Sequence, residues 1–159
     1  MIKLIRSFKF AFCGIWTCIK NERNFRVHIV AAIAVFIFSC IYQIPKVNTL
    51  VLILTIFLVI TMEALNTSIE TVVDLASPEK SELAKAAKDT AAGAVLLAAI
   101  CAVIVAFLTF SDLSRLKYTF MQLIKMPNLI FTILFVAAAA LFVFGISDKK
   151  IDKKNKIFN

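Results

Sequence analysis

Long apolar runs, interrupted at only a few points, dominate the chain and predict helices. His28 to Ile44 is a run of 17 residues closed by Pro45, just long enough to cross the hydrocarbon core of a bilayer. After a tight connection, Pro45-Lys46-Val47-Asn48, a second run extends from Thr49 to Met62 and passes into polar sequence without a breaker. One continuous helix is therefore expected to carry Glu63 at or just inside the membrane boundary. Ser77-Pro78-Glu79 ends that helix, because Pro78 disfavours helical geometry at Ser77 and suits the first position of the next helix. A third helix is expected from Glu79 through Val95 to Phe110. Its small residues Ala86, Ala87, Ala91, Ala92, Gly93 and Ala94 suit close approach of helix backbones in a membrane bundle. After Pro127, Leu129 to Ile146 is a fourth run of spanning length.

Two stretches have a different rhythm. In residues 1–27, Leu4, Phe8, Ala11, Phe12, Ile15 and Ile19 recur at three- and four-residue steps among Lys and Arg, which predicts an amphipathic helix lying in the membrane interface. A soluble packing helix is the alternative. Leu113, Leu116, Phe120, Leu123 and Ile124 repeat the pattern within 111–126 and predict a second interfacial helix. The fold class is all-α integral membrane: an N-terminal surface helix (about 1–27), three spans (about 28–45, 48–76 and 79–110), and an extension over 111–159. That extension holds the interfacial helix, a fourth span at 129–146 and a lysine-rich tail expected to be disordered.

Composition agrees, since 61% of the 159 residues are hydrophobic, too many for a soluble domain of this size. The net charge of +8 matters chiefly through its placement. Six Lys/Arg precede residue 27 and five Lys lie in 149–156, against three basic residues in 111–128. This asymmetry favours the N-terminus, the 63–90 segment and the tail on the cytoplasmic side, with a re-entrant or surface-lying last segment as the alternative. No basic stripe is interleaved with exposed aromatics, so nucleic acid is not an expected partner. The six basic residues ahead of the first long run argue against a cleavable signal peptide. Cys13, Cys18, Cys40 and Cys101 have no C-x-x-C spacing, and His28 is the single histidine; neither a disulfide framework nor a zinc site is expected.

Residues 63–93 contain six of the ten acidic residues. At helical spacing Glu63, Asn66, Thr67, Glu70 and Asp74 share one face, with Ala64, Leu65, Ile69, Val72 and Val73 on the other. Ionisable groups running out of a membrane helix are costly and by default functional. Hard carboxylate oxygens suit Mg2+, which takes one or two carboxylates together with water and phosphate oxygens. Glu63, shielded by apolar neighbours, suits a general base for a hydroxyl presented from the bilayer. Lys88 and Asp89, where the third helix enters the membrane, suit phosphate neutralisation and its organisation. No glycine-rich phosphate loop is present. The residues alone leave three readings open: phosphoryl transfer, a merely solvated helix face, and an ion pathway in a small transporter. A structural adaptor holding anionic lipid through its basic termini is a further alternative. Glu22, flanked by Arg23 and Arg26, reads simply as a salt-bridged surface residue.

Glu63-Ala-Leu-Asn-Thr-Ser-Ile-Glu-Thr-Val-Val-Asp74, followed by Ala84-Lys-Ala-Ala-Lys-Asp-Thr-Ala-Ala-Gly-Ala-Val95, resembles the signature of the prokaryotic diacylglycerol kinase family. Asn21-Glu-Arg-Asn-Phe-Arg26 resembles that family's N-terminal acidic motif, and the likeness covers about residues 3–110. The resemblance implies a kinase core over 1–110 and a homotrimer with active sites composite across subunits in a bacterial plasma membrane. It further implies Mg2+-ATP as donor and a lipid alcohol as acceptor. It makes Glu63 the catalytic base, Glu22 and Glu70 the metal-coordinating carboxylates, and Asn66, Lys88 and Asp89 polar residues that bind nucleotide. On the resemblance alone Glu22 changes from a surface residue to a ligand. Gly14 to His28 and the form Asn66-Thr-Ser-Ile-Glu70 look more like the Gram-positive undecaprenol kinase branch than the diacylglycerol-using branch. Residues 111–159 have no counterpart in the family pattern.

Overall fold

The structure, a computed structural model, describes residues 2–79, 81–125 and 127–146. The lysine-rich tail lies outside the described residues. Six helices follow one another, with no strand among the described residues: α1 (Ile2–Asn21), α2 (Arg23–Tyr42), α3 (Lys46–Ala76), α4 (Glu82–Thr109), α5 (Leu113–Ile124) and α6 (Asn128–Phe144). By length and composition α2, α3 and α4 are each able to cross a membrane; α5 and α6, which meet at 85°, reach the same standard only as a pair. The chain is an all-helical, multi-pass integral membrane protein.

Exposure is inverted relative to a soluble bundle. Leu97 is 70% exposed and Phe107 77%, whereas Arg26, Thr55, Glu63 and Thr119 are buried. Lipid is the solvent for the outer faces, so polar groups turn inward, where partners exist.

Several boundaries differ from the expected ones. The surface helix stops at Asn21, not at 27, because Glu22 takes an extended conformation (φ −116°, ψ 112°) and α2 begins at Arg23. The break leaves the last carbonyls of α1 without helical donors, and the Arg26 guanidinium takes two of them: Nη1 donates to the carbonyls of Ile19 (3.0 Å) and Lys20 (3.3 Å). Arg26, grouped with the surface charges in the amphipathic pattern, is thus wholly buried. At the far end of α2, Gln43 is left-handed (φ 57°) and Pro45 caps α3. Pro78 does not open α4. Ser81 is the N-cap, its carbonyl accepting from the Lys85 amide at 2.9 Å, and Pro78 remains in the connection. α5 starts on Asp112, whose carboxylate accepts from the amides of Ser114 (3.0 Å) and Arg115 (3.1 Å), a cap of about 1 kcal/mol.

α3 and α4 form the most extensive helix pair. Ala91 and Ala98 are buried in it, while Ala86, Ala87, Ala92 and Ala94 remain exposed; fewer small residues serve the contact than their clustering suggested. α6 runs antiparallel to α2. Phe131 and Phe135 share an apolar groove of about 380 Å³ with Ile37, Phe38 and Ile41, while Val143 lies against Arg26. α6 therefore retraces the depth of α2, at 17 residues or about 25 Å. The other end is tied by Tyr42, whose hydroxyl donates to the Asp112 carbonyl (3.2 Å) and accepts from the Asp112 amide (3.1 Å). Phe38, Tyr42 and Phe110 pack as an aromatic cluster around this tie, with both Phe110 contacts edge-to-face. Tyr42→Phe keeps the ring packing and leaves Asp112 without either bond. It is expected to cost about 1–3 kcal/mol, read as a lower unfolding midpoint in detergent; an unchanged midpoint would show that the tie adds nothing.

Candidate functional site

The inward stripe of α3 explains how a carboxylate reaches the interior. Leu52, Thr55, Val59 and Glu63 are the buried residues of that helix, at steps of three and four, so all four lie on one face. The stripe changes from apolar to ionisable without changing direction. Glu63 is 3% exposed, and Asn66, Thr67 and Glu70 continue it half-buried. The opposite face, with Leu65 and Val72, is exposed. A merely solvated polar face would have the reverse burial.

Three groupings form around this stripe. First, α1 and the α1–α2 break bring Glu22 toward Glu63. Cys18 lies within electrostatic reach of both carboxylates; burial first, and then the charges of Glu22 and Glu63, push its thiol up from the ordinary value. Second, Asn66 Nδ2 donates to Glu70 Oε1 at 3.1 Å, which orients the Glu70 carboxylate. Asn66 Oδ1 is buried without a hydrogen-bond partner among the described residues. Third, Lys88 Nζ of α4 donates to and pairs with Asp74 at the end of α3, with Glu70 within electrostatic reach of the same ammonium. This pair borders an open cleft of about 450 Å³ between the end of α3 and the start of α4. Asp74, Glu79, Glu82, Lys85, Lys88 and Asp89 line it.

The six residues singled out by sequence thus fall at one end of the bundle. No hydrogen bond or ion pair among the described residues joins Lys88 or Asp89 to Glu63, and Glu70 lies within electrostatic reach of both Glu63 and Lys88. Asp89 is exposed on the cleft wall. Asp74, the partner of Lys88, was part of the acidic stripe without an assigned role; its position fourteen residues before Lys88 becomes a contact only through the α3–α4 turn. Arg26 closes the Asn21–Arg26 motif, but nothing in the sequence signals its burial.

Among the described residues no three acidic, histidine or cysteine side chains converge on a point that would hold a metal ion. Mg2+ does not need such a cage when phosphate and water supply most ligands. An oriented Glu70 carboxylate beside an unsatisfied Asn66 oxygen fits that need, since metal-bound water is the kind of donor the oxygen lacks.

The fold and the site define a polytopic helical membrane protein with carboxylates turned inward at one end of the bundle. Residues 9–110, well over half of the chain, match the family model of prokaryotic diacylglycerol kinase, and the chain belongs to that family. It is 47% identical over 103 residues to the diacylglycerol kinase of Synechocystis sp., covering 64% of this chain and 59% of that protein, less than two thirds of its length. Over 108 residues it is 40% identical to the undecaprenol kinase of Bacillus subtilis, covering 68% of this chain and 88% of that protein. Over 102 residues it is 34% identical to the diacylglycerol kinase of Escherichia coli K12, covering 64% and 84%. No solved structure matches it closely enough to count as similar. The expected family membership is thereby established, and α5 and α6 lie beyond the matched residues.

Proposed function

We propose that the protein transfers the γ-phosphate of ATP to the primary hydroxyl of undecaprenol, at the cytoplasmic face of a bacterial plasma membrane. The observation that carries the reading is the buried Glu63, which ends the inward face formed by Leu52, Thr55 and Val59. A carboxylate shielded there suits a base for a hydroxyl presented from the bilayer. Glu63 accepts the hydroxyl proton as the oxygen attacks phosphorus. Glu22 and Glu70 would hold Mg2+, which would supply charge neutralisation to the phosphates. Asn66 fixes the Glu70 carboxylate, and Lys88 and Asp89 receive the nucleotide in the adjoining cleft. The six basic residues ahead of residue 27, on or just after the surface helix, support the cytoplasmic assignment of this end.

The assembly we infer is a homotrimer with composite sites. What supports it is the lack of any direct hydrogen bond or ion pair between Glu63 and Lys88 or Asp89 within the described chain, together with the exposed apolar face of α4. The reading of undecaprenol as acceptor rests on the Gly14–His28 segment and on the Bacillus subtilis likeness, which runs over 88% of that protein. Diacylglycerol is the second reading, favoured by the 47% identity to the Synechocystis protein. Labelled ATP with Mg2+, offered each lipid separately in mixed micelles, decides between them. Label on undecaprenol is expected. Label mainly on diacylglycerol overturns the acceptor, and label on neither from folded trimer returns the stripe to ion transport.

A further inference from the structure

Arg26 belongs to the matched kinase segment, yet three of its five side-chain hydrogen bonds among the described residues reach outside it. Nε and Nη2 donate to the Val143 carbonyl (3.2 and 3.1 Å), and Nη2 also donates to the Ile146 carbonyl (3.2 Å). Val143 lies in the last turn of α6, and Ile146 two residues beyond its end. Through Nη1 the same guanidinium holds the last carbonyls of α1, Ile19 and Lys20. One planar fork therefore closes the carboxyl ends of two helices that are more than a hundred residues apart. A cation at two helix carboxyl ends also meets two negative dipole ends. The residue between the two halves of this arrangement is Glu22: its amide donates to the Cys18 carbonyl at 2.9 Å, and its carbonyl accepts from the Arg26 amide at 3.3 Å. Glu22 is thus fixed from both sides, by the α1 end that Arg26 caps and by the α2 turn that carries Arg26.

We propose that α5 and α6 form a clamp that sets the position of Glu22 through Arg26, making Arg26 a positioning residue for the metal carboxylate. The clamp rests on the assignment of Glu22 to Mg2+ given above. With Tyr42 holding Asp112 at one end of α2 and Arg26 holding α6 at the other, α6 cannot slide along α2 without breaking bonds at an end. The α1–α2 break inherits that rigidity. In a three-span chain the same break would have no such external reference.

The test uses full-length protein in lipid nanodiscs and two variants that attack the clamp from opposite sides. Arg26→Gln removes the fork. Gly145→Ala leaves Arg26 untouched, but its Cβ would collide with the Leu141 carbonyl oxygen, so the last turn of α6 must shift the carbonyls that Arg26 holds. Both variants are expected to raise the Mg2+ concentration for half-maximal transfer about 10-fold or more, with the KM for the lipid alcohol unchanged. Both are also expected to change the quenching of Trp16, the chain's one tryptophan, by brominated lipid, which reports the seating of α1 without any turnover. Arg26→Lys, which keeps a charged donor but not the fork, falls between wild type and Arg26→Gln; the double variant is non-additive. Wild-type Mg2+ dependence and Trp16 quenching in folded Gly145→Ala and Arg26→Lys overturn the clamp. If the wild type itself transfers no phosphate, the kinase reading fails separately. Trp16 quenching then still decides the clamp: a change in both variants supports it and no change in either overturns it.

Discussion

Glu63→Gln is expected to leave a folded protein that binds ATP with near wild-type affinity and transfers phosphate about 10²–10⁴-fold more slowly. Gln matches Glu in shape, so the 3% exposed site keeps its packing. It cannot take up a proton at the atom that faces the substrate. The loss should fall on kcat, because the acceptor hydroxyl still reaches the site and only its deprotonation in the transition state is affected. Single-turnover transfer together with ATP titration separates the two quantities. Transfer within about threefold of wild type would remove Glu63 from the base role and reassign its burial to packing. Loss of ATP binding along with transfer would place Glu63 among the nucleotide ligands.

The second large effect concerns Lys88. In the structure its ammonium is engaged with Asp74, so nucleotide phosphates must compete with a carboxylate for it. Lys88→Met is expected to lower kcat/KM for ATP about 10²–10³-fold, the usual scale for removing one preorganised charge stabiliser. Asp74→Asn removes the competitor and is expected to lower the KM for ATP while leaving kcat close to wild type. Opposite signs from the two partners of one ion pair are the diagnostic result, since a purely structural α3–α4 tie would weaken the protein equally from either side. Mixed oligomers of the inactive Glu63→Gln and Lys88→Met chains test composite sites. If each site takes Glu63 from one chain and Lys88 from its neighbour, mixing restores transfer; no restoration from well-mixed trimers puts both residues in one chain's site.

Much of this protein is legible in its sequence because lipid imposes a simple rule. Every backbone group in the hydrocarbon must be bonded internally, so the apolar runs had to be helices, and their lengths and prolines marked the spans. The polar face from Glu63 to Asp74 was equally legible, because helical spacing puts its members on one side whatever surrounds the helix. The pattern between Glu63 and Val95 carried the family. Which way that face points was not legible. A stripe of carboxylates has the same spacing whether it meets water or the bundle interior, and only the packing of α3 against its neighbours buries Glu63 and exposes Leu65.

Arg26 marks the same limit more sharply. By local sequence it is one cation among six on an amphipathic segment, and nothing nearby distinguishes it from Arg23. Its burial depends on the carbonyls of Val143 and Ile146, whose positions follow from the return of α6 along α2. The chain by itself therefore determined the helices and the acidic stripe, consequences of local periodicity and residue type, and its motifs carried the resemblance to the kinase family. Tertiary structure alone decided the inward turn of the stripe, the pairing of Lys88 with Asp74 and the joining of α1 to α6 through one arginine. Each of these depends on groups distant in sequence being brought within hydrogen-bond reach, and no periodicity records that.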